Sequence, residues 1–325
     1  MKPIIAVLIP CYNEEAAIAA VVRDFRRALP ECTLFVYDNN SNDRTREVAL
    51  AAGAIVRTEP LQGKGNVVRR MFADIEADVF VLVDGDNTYD AESAPKLVDL
   101  LLREALDMVN AARVASSDLA YRAGHQWGNA MLTGLVNRIF GNRLTDMLSG
   151  YRVFSRRFVK SFPALSAGFE IETEFTVHAL ELRLPIAEVP TPYRARPVGS
   201  TSKLHTYRDG VRILRTIVTL IKQEKPLQFF AFISACLALV STVLALPVIR
   251  TFLNTGLVPR LPTAVLSMGI MLLAFLSLTC GLVLETVTRG RIESKRLHYL
   301  GVPIRFSPLI NLPAESPCRA VSERP

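Results

Sequence analysis

Two stretches of 23 residues, Leu227–Ile249 and Pro262–Leu284, contain no charged side chain. They limit what this chain can fold into more than any other feature. Wound as helices, each is long enough to cross a hydrocarbon layer of ~30 Å. A short loop with Arg250, Asn254, Gly256, Pro259 and Arg260 separates them. The pair therefore reads as a transmembrane hairpin, with a buried pair of core helices as the competing reading. Basic flanks set its expected orientation. Arg208, Arg212, Arg215, Lys222 and Lys225 precede the first stretch, and Arg289, Arg291, Lys295 and Arg296 follow the second. The connecting loop holds only Arg250 and Arg260. Positive charge stays on the cytoplasmic side, so the N-terminal portion and the C-terminal tail are both expected in the cytoplasm, attached to the inner membrane. The opening "MKPIIAVLIPCYNEE" turns acidic after a few apolar residues, too soon for a signal-peptide core.

Composition fits this division. Half of the 325 residues are hydrophobic, and the mean hydropathy of +0.25 is carried by the two blocks after Gln228. The net charge of +7 suits anionic lipid headgroups, phosphorylated substrates or nucleic acid. Nucleic acid ranks last, because no zinc-finger spacing or RNA-binding signature accompanies the charge. The five cysteines, Cys11, Cys32, Cys236, Cys280 and Cys318, form no CxxC pair. They read as reduced thiols and not as metal ligands.

Ahead of the apolar blocks, short branched strands alternate with helices. "IIAVLIP", "TLFVYD", "AIVRTE" and "VFVLVD" read as strands, and the stretches 14–29, 44–52 and "KGNVVRRMFADI" as helices. Such alternation predicts an α/β domain with a mostly parallel, Rossmann-like sheet. Ligands in these folds sit at the carboxyl ends of strands, where Pro10, Asp38 and Asp84 fall. Farther on, "DGVRILRTIVTLIKQ" places Val211, Leu214, Ile217, Val218 and Ile221 on one helical face and Arg212, Arg215 and Lys222 on the other. That pattern fits a basic interfacial helix, or else a helix facing the soluble core. The expected boundaries are residues 1–205 for the α/β domain, 206–226 for the interfacial helix, 227–288 for the hairpin and 289–325 for a polar, proline-rich tail.

The chemistry concentrates at "VFVLVDGDNTYD", where Asp84 and Asp86 stand two residues apart behind a buried strand. Like charges this close need a cation. Two strand-end carboxylates suit a hard divalent ion, Mg²⁺ or Mn²⁺, that keeps coordination positions for phosphate oxygens.

The segments "VLIPCYNEE", "VYDNNSND", "GKGNVVRRM", "VLVDGD" and "DMLSGYRVFSRR", in this order, resemble family 2 glycosyltransferases of the GT-A fold. The nearest branch is similar to the dolichyl- and polyprenyl-phosphate sugar synthases, inverting enzymes that move one hexose from a nucleotide sugar to a membrane polyprenyl phosphate. The resemblance covers residues 4–225. The hairpin behind them matches bacterial membrane-anchored members.

The resemblance implies that Pro10, Tyr12 and Glu14 line the nucleotide, that Asp38 meets its base, and that Asp84 and Asp86 hold the metal, Asp86 nearest the diphosphate. Where the family has "DDGS", this chain has Asn39 and Asn40 in place of the second acid and the glycine. Lys64, between Gly63 and Gly65, reads as a nucleotide-binding cation or as a solvated surface lysine. Where the mannose branch reads "DADLQ", this chain has "DGDNT" with Thr88, which favours a UDP-hexose donor over GDP-mannose.

A polyprenyl phosphate is already anionic and needs no general base. It needs positive charge and positioning. Arg113, Arg122, Arg138 and Arg143 supply charge, Arg113 being assigned to the nucleotide sugar. Arg152, Arg194, Arg196, Ser202 and Lys203 are the candidates for gripping acceptor phosphate. Asp86, Asp146 and Arg152 form the expected catalytic set, Asp146 either orienting a partner or paired structurally to Arg152. Glu170, Glu172 and Glu174 receive no role, although one of them touching the donor sugar is an open reading. Two alternatives remain: transfer to a hydroxyl acceptor on a polysaccharide or protein, and a non-catalytic sugar-nucleotide-binding subunit of an export assembly. Homo-oligomerisation is left open.

Overall fold

The computed structural model describes residues 2–115, 134, 144–194, 219, 222 and 225–303. The chain divides into two compact units, residues 1–206 with 297–325, and residues 207–296. The stretch expected to form the interfacial helix lies largely outside the described residues, as does the tail from residue 304.

In the first unit, seven strands form one sheet: β1 (Ile5–Cys11), β2 (Thr33–Asp38), β3 (Ile55–Thr58), β4 (Val79–Leu82), β5 (Met108–Ala115), β6 (Arg152–Ser155) and β7 (Ile186–Tyr193). Their order is β3-β2-β1-β4-β6-β5-β7. Strands β1 to β4 pair in parallel, as do β5 and β7, while β6 runs antiparallel between β4 and β5. Six strands thus end at one edge of the sheet, and β6 begins there. The mostly parallel α/β sheet expected from the alternation is present, and its first four strands match that reading. β5 and β7 lack an unbroken apolar run, since Asn110, Arg113, Glu188, Pro190 and Pro192 interrupt them.

The sheet is covered on both faces by α1 (Ile18–Ala28), α2 (Thr45–Ala51), α3 (Lys64–Asp74), α4 (Ala94–Arg103), α5 (Arg156–Ser161) and α6 (Ile171–Glu181). Alternate residues of β4 serve opposite faces, as a period of two requires. Val79 and Val81 join Val22 and Phe25 of α1 and Leu97 of α4 in one buried cluster. Phe80 faces its cross-strand partner Phe154 on the other side. There Phe154 stacks on Phe158 of α5 with ring centroids 4.7 Å apart, and Phe72 of α3 meets Phe80 edge-on at 6.2 Å. This aromatic layer holds α3, α5 and α6 against the sheet, which matters because α3 and α6 carry site residues at their first turns.

The second unit is built from α7 (Pro226–Thr255) and α8 (Leu261–Gly301), whose last residues cluster with the first unit. Both helices are long and apolar enough to cross a membrane, and both run past the expected stretches. The buried positions of α8 are Ser267, Ala274, Gly281 and Thr288, one every seventh residue. Small side chains on such a seam let two helix backbones approach closely. Ser241 of α7 donates to the Ser267 carbonyl at 2.7 Å, and Ser277 donates to the Phe230 carbonyl at 3.1 Å. A Cβ on Gly281 would stand 3.0 Å from that of Phe230. Large apolar side chains such as Phe232, Leu253 and Phe275 point outward.

Candidate active site

The loops after β1, β2 and β4 and the loop before β6 meet at the same sheet edge. After β4 come Asp84, Gly85 and Asp86. Gly85 is needed for space and not for backbone freedom: its φ is not among the positive ones, and a Cβ would lie 2.6 Å from Cys11 Sγ at the end of β1. The turn between the two carboxylates can therefore sit against β1 only without a side chain. Asn87 follows at φ 58°, the left-handed region that asparagine tolerates. Asp86 is nearly buried, and its Oδ1 accepts from Thr88 Oγ1 at 2.7 Å and from the Thr88 backbone N–H at 3.2 Å. Thr88, standing where the mannose branch has glutamine, thus orients Asp86.

Asp84 is held from two sides. A Cβ on Gly150, in the "SGYR" stretch leading into β6, would collide with its carboxylate. The Gly150 N–H donates to Tyr89 Oη at 2.8 Å, and burial pushes the Tyr89 phenol well above its ordinary range. On the other side, Lys64 Nζ lies 2.5 Å from Asp84 Oδ1 and 2.5 Å from Glu172 Oε1. Only 8% of the Lys64 side chain is exposed, which rules out a solvated surface lysine. Burial alone would favour its neutral form, but the two carboxylates outweigh that and raise its pKa. Glu172 is raised in turn, by burial and by the nearby charge of Asp84, with Lys64 opposing the shift. The ammonium thus bridges a buried acid, Glu172, and a partly exposed one, Asp84.

The glycines beside Lys64 make room for a neighbouring backbone. A Cβ on Gly63 or Gly65 would overlap the backbone carbonyl of Ala167 or Ser166. They let the start of α3 press against the segment that leads into α6, which carries Glu172 to Lys64. Glu172 and Glu174 occupy the first turn of α6, where the helix dipole favours negative charge. Glu174 accepts from the backbone N–H groups of Leu165 and Ser166 at 2.9 and 2.8 Å. The alternating acids are thus a helix start, in which Glu172 and Glu174 have separate tasks, and Glu172 is a site residue the sequence reading left without a role.

The loop after β2 accounts for the two asparagines. Asn39 Nδ2 donates to the carbonyls of Glu59 and Leu61 at 2.9 and 2.8 Å, and its Oδ1 accepts from the Gly63 N–H at 2.6 Å. An amide can donate and accept at once, whereas an acid here would face two carbonyls. Asn40 takes φ 64°, a conformation otherwise suited to glycine. We expect Asn39→Asp to destabilise the fold by about 2–4 kcal/mol and so lower the thermal unfolding midpoint, since it sets a carboxylate against buried acceptors. Scanning calorimetry checks this, and an unchanged midpoint would contradict the bracing role.

The loops after β1 and β2 are zipped together. The Asn13 N–H donates to Ser41 Oγ at 2.8 Å, the Asn42 N–H to Asn13 Oδ1 at 2.8 Å, and the Glu14 N–H to Thr45 Oγ1 at 2.9 Å. Pro10, Tyr12 and Glu14 therefore lie beside the loop that follows Asp38. Asp38 is buried; its Oδ2 accepts from the Ser41 N–H, while its Oδ1 has no hydrogen-bond partner.

Asp146 and Arg113 form a forked pair: Arg113 Nε lies 2.7 Å from Oδ2 and Nη2 2.8 Å from Oδ1. The Arg113 guanidinium also sits 5.7 Å from the centre of the Tyr193 ring. Glu188 of β7 holds the backbone of this loop, accepting from the N–H groups of Thr145 and Asp146 at 2.7 and 3.1 Å. Of the two readings of Asp146, the pairing with Arg152 is corrected: its ion-pair partner is Arg113. Arg152 itself is fully buried and donates to the carbonyls of Ser149 and Met147 and to Thr176 Oγ1 of α6, at 3.1, 2.5 and 2.9 Å. Burial pushes its guanidinium down to about 10. Its donors are spent inside the protein, so it braces the "SGYR" loop against α6 and does not reach an acceptor phosphate. Arg194, at the end of β7, is mostly exposed; it pairs with Asp90 at 2.9 Å, and its N–H bonds the Thr88 carbonyl at 2.9 Å. Arg196, Ser202 and Lys203 lie outside the described residues, as do Arg122, Arg138 and Arg143.

Among the described residues no three acid, histidine or cysteine side chains converge as a metal cage. The donor set still fits a hard divalent ion: Asp84 and Asp86 offer carboxylate oxygen, and an ion such as Mg²⁺ fills its other positions with phosphate oxygens and water.

Comparison with known proteins agrees with this geometry. Residues 6–162 match the family described as Glycosyl transferase family 2. Protein RfbJ of Shigella flexneri is 54% identical over 123 residues, 38% of this chain and 95% of that protein. A dolichyl-phosphate hexose transferase of Haloferax volcanii is 30% identical over 221 residues, 68% of this chain and 95% of the relative. The solved structure of Mycobacterium tuberculosis glucosyl-3-phosphoglycerate synthase with Mn²⁺, UDP-glucose and phosphoglyceric acid superposes with a TM-score of 0.56 at 25% identity, covering 68% of this chain and 79% of that one. With paired aspartates at the end of a central strand, a GT-A-like sheet around them and relatives aligned over nearly their whole length, this chain is a member of glycosyl transferase family 2.

Proposed function

We propose that the chain is a membrane-anchored, metal-dependent transferase that moves one hexose from a UDP-hexose to polyprenyl phosphate at the cytoplasmic face, with inversion. The observation that carries this reading is the paired strand-end carboxylates Asp84 and Asp86, joined in one chain to two helices apolar enough to cross a membrane. A relative named for dolichyl-phosphate hexose transfer supports the acceptor class. The solved neighbour with UDP-glucose and Mn²⁺ supports the donor and the ion.

Each part of the site has a task in this reading. Asp38 Oδ1, a buried acceptor without a partner, suits an N–H donor such as that of a uracil ring. Pro10, Tyr12 and Glu14 border the same loop. Asp84 and Asp86 would hold Mg²⁺ or Mn²⁺, which when bound supplies positive charge against the departing nucleotide diphosphate. Both oxygens of Asp146 accept from Arg113, an arrangement for orienting a cation and not for taking a proton. That fits an acceptor that arrives as an anion. Arg194, paired with Asp90 and mostly exposed, leads in the chain to Arg196, Ser202 and Lys203 and on toward the apolar helices.

The solved neighbour acting on a phosphorylated small molecule favours a second reading, transfer to a hydroxyl. The full chain in detergent, given labelled UDP-glucose, UDP-N-acetylhexosamine or GDP-mannose with polyprenyl phosphate and Mn²⁺, separates the two. Label entering the organic phase from a UDP-sugar is the expected result. Label found only in water-soluble product, or none from any donor, would overturn the reading.

A further inference from the structure

The site contains a cation of its own beside the expected one. Lys64 Nζ touches Asp84 and Glu172 at equal distances of 2.5 Å. Its backbone cannot drift, because Gly63 and Gly65 press α3 onto the backbone of Ser166 and Ala167. The other flank of Asp84 is closed by Gly150. An ion that takes Asp84 therefore meets an ammonium already bonded to the same carboxylate, and two cations on one carboxylate repel.

We propose that Lys64 is a built-in competitor for the divalent ion at Asp84, and that Glu172 is a positioning residue that receives the ammonium when the ion displaces it. The inference rests on the reading that Asp84 and Asp86 hold the metal. With Glu172 anionic, Lys64 keeps a charged partner after leaving Asp84, so metal binding forfeits one ion pair and not two. Without Glu172, Asp84 is the ammonium's remaining partner in this triad and is given up less readily. Without Lys64, there is nothing to displace, and Glu172 no longer influences the exchange.

The test is an Mn²⁺ titration of the full chain in detergent, reading free Mn²⁺ by its electron paramagnetic resonance signal, with no donor or acceptor present. Hydrogen bonds to charged groups are worth enough that K64Q is expected to tighten Mn²⁺ binding about tenfold, and E172Q to weaken it about tenfold. The decisive variant is the double one. A field effect of the two charges would add, returning K64Q/E172Q to the wild-type affinity. Competition predicts instead that the double variant binds like K64Q, within about twofold. Additive changes, equal signs for the two single variants, or no change would overturn the proposal. A D84N control that matches wild type, or a wild type that binds no Mn²⁺, would overturn the metal reading itself and the proposal with it. Thermal midpoints near wild type confirm that the variants compared are folded.

Discussion

Replacing Asp86 with asparagine is expected to slow sugar transfer by about a thousandfold or more while leaving the protein folded. Asparagine keeps the Oδ1 acceptor that Thr88 uses at 2.7 and 3.2 Å, so the turn after β4 retains its internal bonds. What disappears is the negative charge. Charge stabilisation by a metal ion is worth several kcal/mol at the transition state, and each ~1.4 kcal/mol is tenfold in rate. Initial rates with a matched unfolding midpoint check this. Activity within about tenfold of wild type would mean that the second carboxylate of "DGD" is structural.

The second large effect is on stability. Exchanging Arg152 for methionine removes every donor that a fully buried guanidinium gives to Met147, Ser149 and Thr176. Two backbone carbonyls lose a charged donor inside the core, a loss of about 3–5 kcal/mol. For a unit of this size the midpoint should fall on the order of 10 °C. Acceptor KM, measured on the folded fraction below the transition, should not move. A raised KM with an unchanged midpoint would instead return Arg152 to the phosphate site.

That contrast shows where the sequence was legible. β1, β2 and β4 are branched apolar runs ending in polar turns, so both the strands and the ligand edge could be read directly. Asp84 and Asp86 follow from the same reading, because their position depends on one strand end. Arg152 shows the limit. An arginine after "SGY" reads as a grip for acceptor phosphate, and its burial follows from β6 running antiparallel into the sheet centre, which no local pattern reveals. Lys64 and Glu172 are 108 positions apart in sequence and meet only because two glycines let α3 touch the segment before α6. Composition could place the lysine near a ligand loop, but not the acid that shares it. The asparagines of "DNNSND" looked like a departure from the family's acids until their bonds showed an amide tying one loop to the next.

The central claim is that Asp84 and Asp86 use a divalent ion to pass a sugar to a lipid phosphate. Its most direct measurement follows label from a UDP-hexose into the lipid phase with the full chain in nanodiscs containing polyprenyl phosphate. Transfer should stop with excess chelator and return when Mn²⁺ is restored. Undiminished transfer in chelator would contradict the account.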